Sequence, residues 1–89
     1  MTKLEEETIS YIVSDFLTGN HLLGRERSAL HKNMMNEASA IFSKTDNGVQ
    51  DLSEREVDIL KCMADAFYGG LEDMCDQLGL NIDNIKKYF

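Results

Sequence analysis

The chain has 89 residues, 43% of them apolar, and a formal net charge of −7. That length suits one domain with a modest core and leaves little room for a deep cleft, and that apolar fraction excludes a wholly disordered chain. No apolar run approaches the roughly 20 residues that a membrane-spanning helix needs, so no membrane partner is expected.

The N-terminus, MTKLEEET, is acidic and lacks the apolar core of an export signal, so a cytoplasmic location is expected. A first helix is predicted from Lys3 to Leu17. Thr2 and Glu5 have capping-box spacing, and Glu5, Glu6 and Glu7 sit where the helix dipole favours negative charge. Ile9, Ile12, Val13, Phe16 and Leu17 recur at steps of three and four and line one face. Thr18-Gly19-Asn20 reads as the stop, with Gly19 free to adopt a left-handed cap.

A second helix is predicted to start between His21 and Arg25 and to end near Ser43, with Leu23, Leu30, Met34, Ala38 and Ile41 as its stripe. Arg25, Arg27 and Lys32 form a weak basic cluster beside it, read as a solvated face, with phosphate contact as the alternative. Thr45 to Asp51, TDNGVQD, is the clearest loop, because Asn47-Gly48 is a turn signal. It divides a helical arm, residues 1–44, from a C-terminal module, residues 52–89. The apolar stripes of the arm, Ile9–Leu17 and Leu30–Ile41, are the expected faces of a homodimer, since two long amphipathic helices carry more apolar surface than a small core covers.

The third helix opens on a second capping box, Ser53 with Glu56, and carries Val57, Leu60, Met63, Ala64 and Phe67 on one face up to Tyr68-Gly69-Gly70. A short fourth helix, about Leu71 to Leu78, leads to a Gly79-Leu80-Asn81 turn with Asn81 as N-cap of a fifth segment, Ile82 to Phe89. The fold class is therefore all-α, with about five helices.

The stretch Leu71–Phe89 meets the demands of two short helices crossing at a tight turn. A small residue, Cys75, stands where the helices would touch. Gly79 tolerates positive φ four positions later, and Ile85 plugs the core six further on, with Met74, Leu78, Leu80 and Tyr88 in the other buried slots. Together with the preceding LSEREVDILKCMADAF, this stretch resembles the helix-turn-helix of LuxR/GerE-type regulators and the promoter-reading region of sigma factors. The resemblance covers Leu52–Phe89. It implies that Ile82–Phe89 corresponds to the helix that enters the major groove, with Asn81, Asp83, Asn84, Lys86 and Lys87 facing DNA or another partner. The chain departs from the family in three respects: the last helix segment is short, the linker at Tyr68-Gly69-Gly70 is slightly long, and the charge has the wrong sign.

Residues 1–51 carry eight acids against five bases, and residues 52–89 eight against four, so neither half is basic. Around the motif, Lys86 and Lys87 face Glu72, Asp73, Asp76 and Asp83. Specific DNA binding neutralises several phosphates, which two lysines among four acids support poorly. Such a surface attracts a basic protein surface instead, with Glu72, Asp73 and Asp76 as its candidate acids.

Other chemistry finds no support in the sequence. Cys62 and Cys75 read as reduced core thiols, and with His21 and His31 they form no finger or ribbon spacing, so no metal site and no cofactor are expected. His21 and His31 read as surface or partly packed residues rather than a catalytic pair, and the five methionines as core. Gly69-Gly70 precedes an acidic helix, the wrong charge for a phosphate loop. No convergent polar set suggests an enzyme. Two functions remain: a small regulator acting through protein contacts, modulating transcription or inhibiting another nucleic-acid-handling partner, or a regulator that binds DNA directly.

Overall fold

The computed structural model describes residues 1–20, 28–48 and 51–89. Among them are four α-helices, α1 (Lys3–Thr18), α2 (Ala29–Asn47), α3 (Glu54–Asp65) and α4 (Gly70–Leu78), followed by two 3-10 turns, Ile82–Asn84 and Lys86–Tyr88. The described residues contain no strand.

Local chemistry sets most helix ends. At α1 the Thr2 hydroxyl accepts from the Glu5 amide at 3.1 Å while Glu5 accepts from the Thr2 amide at 3.0 Å, satisfying two donors that a helix start leaves unpaired. Gly19 closes α1 at φ 76°, and Gly79 closes α4 at φ 71°. Ser53 and Glu56 repeat the reciprocal cap at α3.

Four boundaries differ from expectation. The predicted start of α2 falls on residues 21–27, outside the described residues, as do Leu23, Arg25, Arg27 and His21; the described helix begins at Ala29, where the Ser28 hydroxyl accepts from the His31 amide at 3.0 Å. At its far end α2 continues past Ser43 to Asn47, because Asn47-Gly48 forms a left-handed helix cap rather than the middle of a loop; the Gly48 amide bonds the Lys44 carbonyl. Thr45, expected in the loop, is thereby a buried helical residue whose hydroxyl donates to the Phe42 carbonyl at 2.9 Å. Helix α3 stops at Asp65, ahead of Tyr68, which leaves the Tyr68 ring fully exposed in the turn.

The fourth correction concerns the tail. The expected fifth helix is two single 3-10 turns broken at Ile85, where ψ is −15° and φ is −124°. Amides 84, 85, 88 and 89 all bond the carbonyl three residues back. An eight-residue segment gains little from helix propagation, so tertiary anchors decide its shape.

One core joins all of these elements. Ile9 and Ile12 of α1, Met34 and Ile41 of α2, Ile59, Leu60 and Met63 of α3, Met74 of α4 and Ile85 of the tail are each almost completely buried. The α1 and α2 stripes thus meet each other and α3 within one chain. Their central residues are not available as the homodimer faces expected of them; of the α1 stripe, Leu17 alone stays largely exposed.

Candidate interaction site around α4 and the C-terminal turns

The features that the C-terminal stretch requires for a bent helical pair fall at a single bend. Cys75 is buried on α4, Gly79 turns the chain at positive φ, and Ile85 is fully buried. Leu78, Leu80, Ile82 and Tyr88 pack against the core with part of each side chain accessible. The Leu80 amide donates to the Cys75 carbonyl at 2.9 Å, folding the chain back over the end of α4.

The five residues expected to face DNA or a partner have separate positions. The Asn81 side chain is a local cap, accepting from the Asp83 amide at 3.0 Å. Asp83 pairs with Lys86 at 3.2 Å, on the surface. Lys87 reaches Asp51 at 3.2 Å, a contact that raises its pKa, and lies over the Tyr88 ring. Asn84 turns inward, its Nδ2 donating to the Thr45 carbonyl at 2.6 Å. Tyr88 completes the seam, its hydroxyl accepting from the Leu52 amide at 2.9 Å. Asn84 and Tyr88 therefore fasten the tail to the end of α2 and to Leu52, while Asn81, Asp83, Lys86 and Lys87 remain at the surface.

The three α4 acids also separate. Asp73 is half-buried and acts within α4, accepting from the Gly69 amide at 3.2 Å and from Gln77 at 2.8 Å. Glu72 and Asp76 are exposed. They flank an open groove of about 640 Å³ whose other walls are Cys75, Gly79, Leu80 and Ile82. Burial raises the Cys75 thiol above its ordinary range, favouring its protonated form.

Elsewhere, charge works structurally. Each capping-box glutamate also anchors a neighbouring helix. Glu5 pairs with Arg55 of α3 at 2.7 Å, and Glu56 with Lys44 of α2 at 2.8 Å. The Thr2 amide, then Arg55, lowers the Glu5 pKa to about 2; Lys44, then the Ser53 amide, lowers that of Glu56. Arg55 also reaches Glu37 of α2 at 3.1 Å, so three helices share one guanidinium, whose own pKa is raised by Glu5 and then Glu37.

His31, expected at the surface or partly packed, is buried, with Nε2 3.0 Å from Asp15 Oδ2. Sequence reasoning missed this pair because Asp15 lies in α1 and His31 in α2; a polar residue at an α1 position next to the stripe was the one available signal.

A second groove between α1 and α3 is lined by Glu6, Asp58, Lys61, Cys62 and Asp65 among others. Burial, then Glu6 and Asp65, raises the Cys62 thiol. Both cysteines are free, and no group of metal-ligating side chains occurs among the described residues. No helix among those residues is long and apolar enough to cross a membrane.

No family model, curated protein or solved structure matches the chain.

Proposed function

We propose that this chain is a small acidic regulatory protein that acts by binding another protein through the α4 side of its C-terminal module. The observation that carries the reading is the fate of the would-be DNA-facing set. Asn84 is turned inward onto the end of α2, and the two exposed lysines, Lys86 and Lys87, are each paired with an acid, Asp83 and Asp51. On its α4 side the module presents Glu72 and Asp76 beside the partly accessible Leu80 and Ile82. Such a surface repels phosphates and attracts a basic protein surface, including that of a nucleic-acid-handling partner. A regulatory role in transcription, by modulation or inhibition, follows from this reading together with the helix-turn-helix resemblance.

Direct DNA binding is the second reading, and the glycine-hinged bend at Gly79 favours it. Affinity capture from the source cell, with partners identified by mass spectrometry, separates the two when paired with duplex DNA titration at about 50 mM salt. The protein-binding reading expects a defined partner whose retention weakens as salt rises, and no duplex binding. Duplex binding that is lost on Lys86→Glu would replace it with the second reading.

A further inference from the structure

The groove beside α4 combines an apolar floor with an acidic rim. Its floor is apolar and unroofed: Leu80 and Ile82 keep part of their surface accessible, and no atom lies within 4 Å of where a side chain on Gly79 would begin. Its rim is acidic and uncompensated. Glu72 and Asp76 stand one turn apart on α4, and among the described residues neither forms an ion pair. Glu5 and Glu37 share Arg55, Glu56 holds Lys44, Asp51 holds Lys87 and Asp83 holds Lys86, whereas Glu7 and Asp58, like Glu72 and Asp76, form no ion pair among the described residues.

We infer that this groove docks a short partner segment that seats an aliphatic side chain on Leu80 and Ile82 and places Lys or Arg against Glu72 and Asp76. The inference rests on the protein-binding reading and gives it a location and a chemistry. Each exposed ion pair adds little affinity, so the apolar contact supplies most of the attraction and the carboxylates select a basic segment over an acidic one. The α1–α3 groove lacks this combination, because Lys61 sits among Glu6, Asp58 and Asp65 and no leucine, isoleucine or valine lines it.

The test is a titration of the full chain, followed by amide NMR, with a synthetic peptide bearing two leucines one helical turn apart and flanked by lysines. Shifts should concentrate at Gly79, Leu80 and Ile82 and saturate with a Kd of about 10–100 µM. The double variant Glu72→Gln/Asp76→Asn, confined to exposed positions, should weaken binding about tenfold with its other resonances unmoved. Replacing the peptide's leucines by serine should abolish saturation. Equal affinity for the double variant, or shifts centred on Glu6, Asp58 and Asp65, overturns the inference. Capture of the cellular partner by the same double variant distinguishes the two levels. Undiminished capture removes the groove but keeps the protein-binding function, whereas duplex binding with neither peptide nor partner binding removes both.

Discussion

The Asn84 side chain and the Thr45 carbonyl, 39 residues apart in the chain, are joined by a hydrogen bond of 2.6 Å. Thr45 lies in the last turn of α2, where carbonyls lack partners within the helix, and Asn84 supplies one. The contact is close packed as well: a Cβ added at Gly48 would meet the Asn84 amide at 3.2 Å. The tail is thereby fastened to the end of α2.

Replacing Asn84 by alanine should therefore cost about 1–2 kcal/mol, from the lost bond and the carbonyl left without it. The midpoint of urea unfolding measures this, and hydrogen exchange at the Ile85 and Tyr88 amides should accelerate more than exchange in α1. Unchanged tail protection would show that the apolar plug of Ile85 suffices alone.

The caps and the seam differ in how far they could be read from sequence. The Thr2/Glu5 and Ser53/Glu56 boxes and the left-handed glycines at 19 and 79 were legible because each interaction closes within a few residues. The Asn84–Thr45, Tyr88–Leu52 and Asp15–His31 contacts span 39, 36 and 16 residues, and no local pattern encodes them. The tail's 3-10 geometry follows from such contacts, so propensity alone suggested a helix. Of the α1 and α2 stripes the described residues other than Leu17 are buried or packed against the core, but periodicity tells which face is apolar and not what covers it; here the two helices cover each other together with α3. Of the candidate site, the exposure of Glu72 and Asp76 was legible, whereas the inward turn of Asn84 was not.

The buried Asp15–His31 pair joins α1 to α2 with both side chains almost inaccessible. His31→Ala should destabilise the fold by about 2–3 kcal/mol, because it takes a hydrogen-bond partner from a buried carboxylate and leaves a cavity. His31→Ala should also lower the thermal unfolding midpoint, and an unchanged midpoint would contradict a structural role for the pair.

Acid should act through Glu5. Its folded pKa of about 2 lies below the ordinary value of 4.5, so its contribution to stability is complete above about pH 4.5 and is lost as pH falls through about 2. Glu56 works in the same direction. Glu5→Gln should flatten the stability curve between those two pH values and leave its slope near neutrality unchanged. In Arg55→Gln the Glu5 carboxyl, followed by NMR, should titrate higher than about 2 yet below 4.5, because the Thr2 amide is the larger cause.

Gly79 holds the bend at φ 71°, with open space where a side chain would begin. Gly79→Ala should cost about 1 kcal/mol through backbone strain alone, and Gly79→Asn less, since asparagine tolerates the left-handed region better. Denaturant midpoints for the two variants give the comparison; equal losses would point to a steric cause instead.

The central claim, that this acidic module addresses a protein and not a nucleic acid, is tested most directly by amide NMR of the chain with duplex DNA at about 50 mM salt, where electrostatic binding is strongest. The account predicts no shift at Asn81, Asn84, Lys86 or Lys87. Saturable shifts confined to those residues, and abolished by Lys86→Glu, would contradict it.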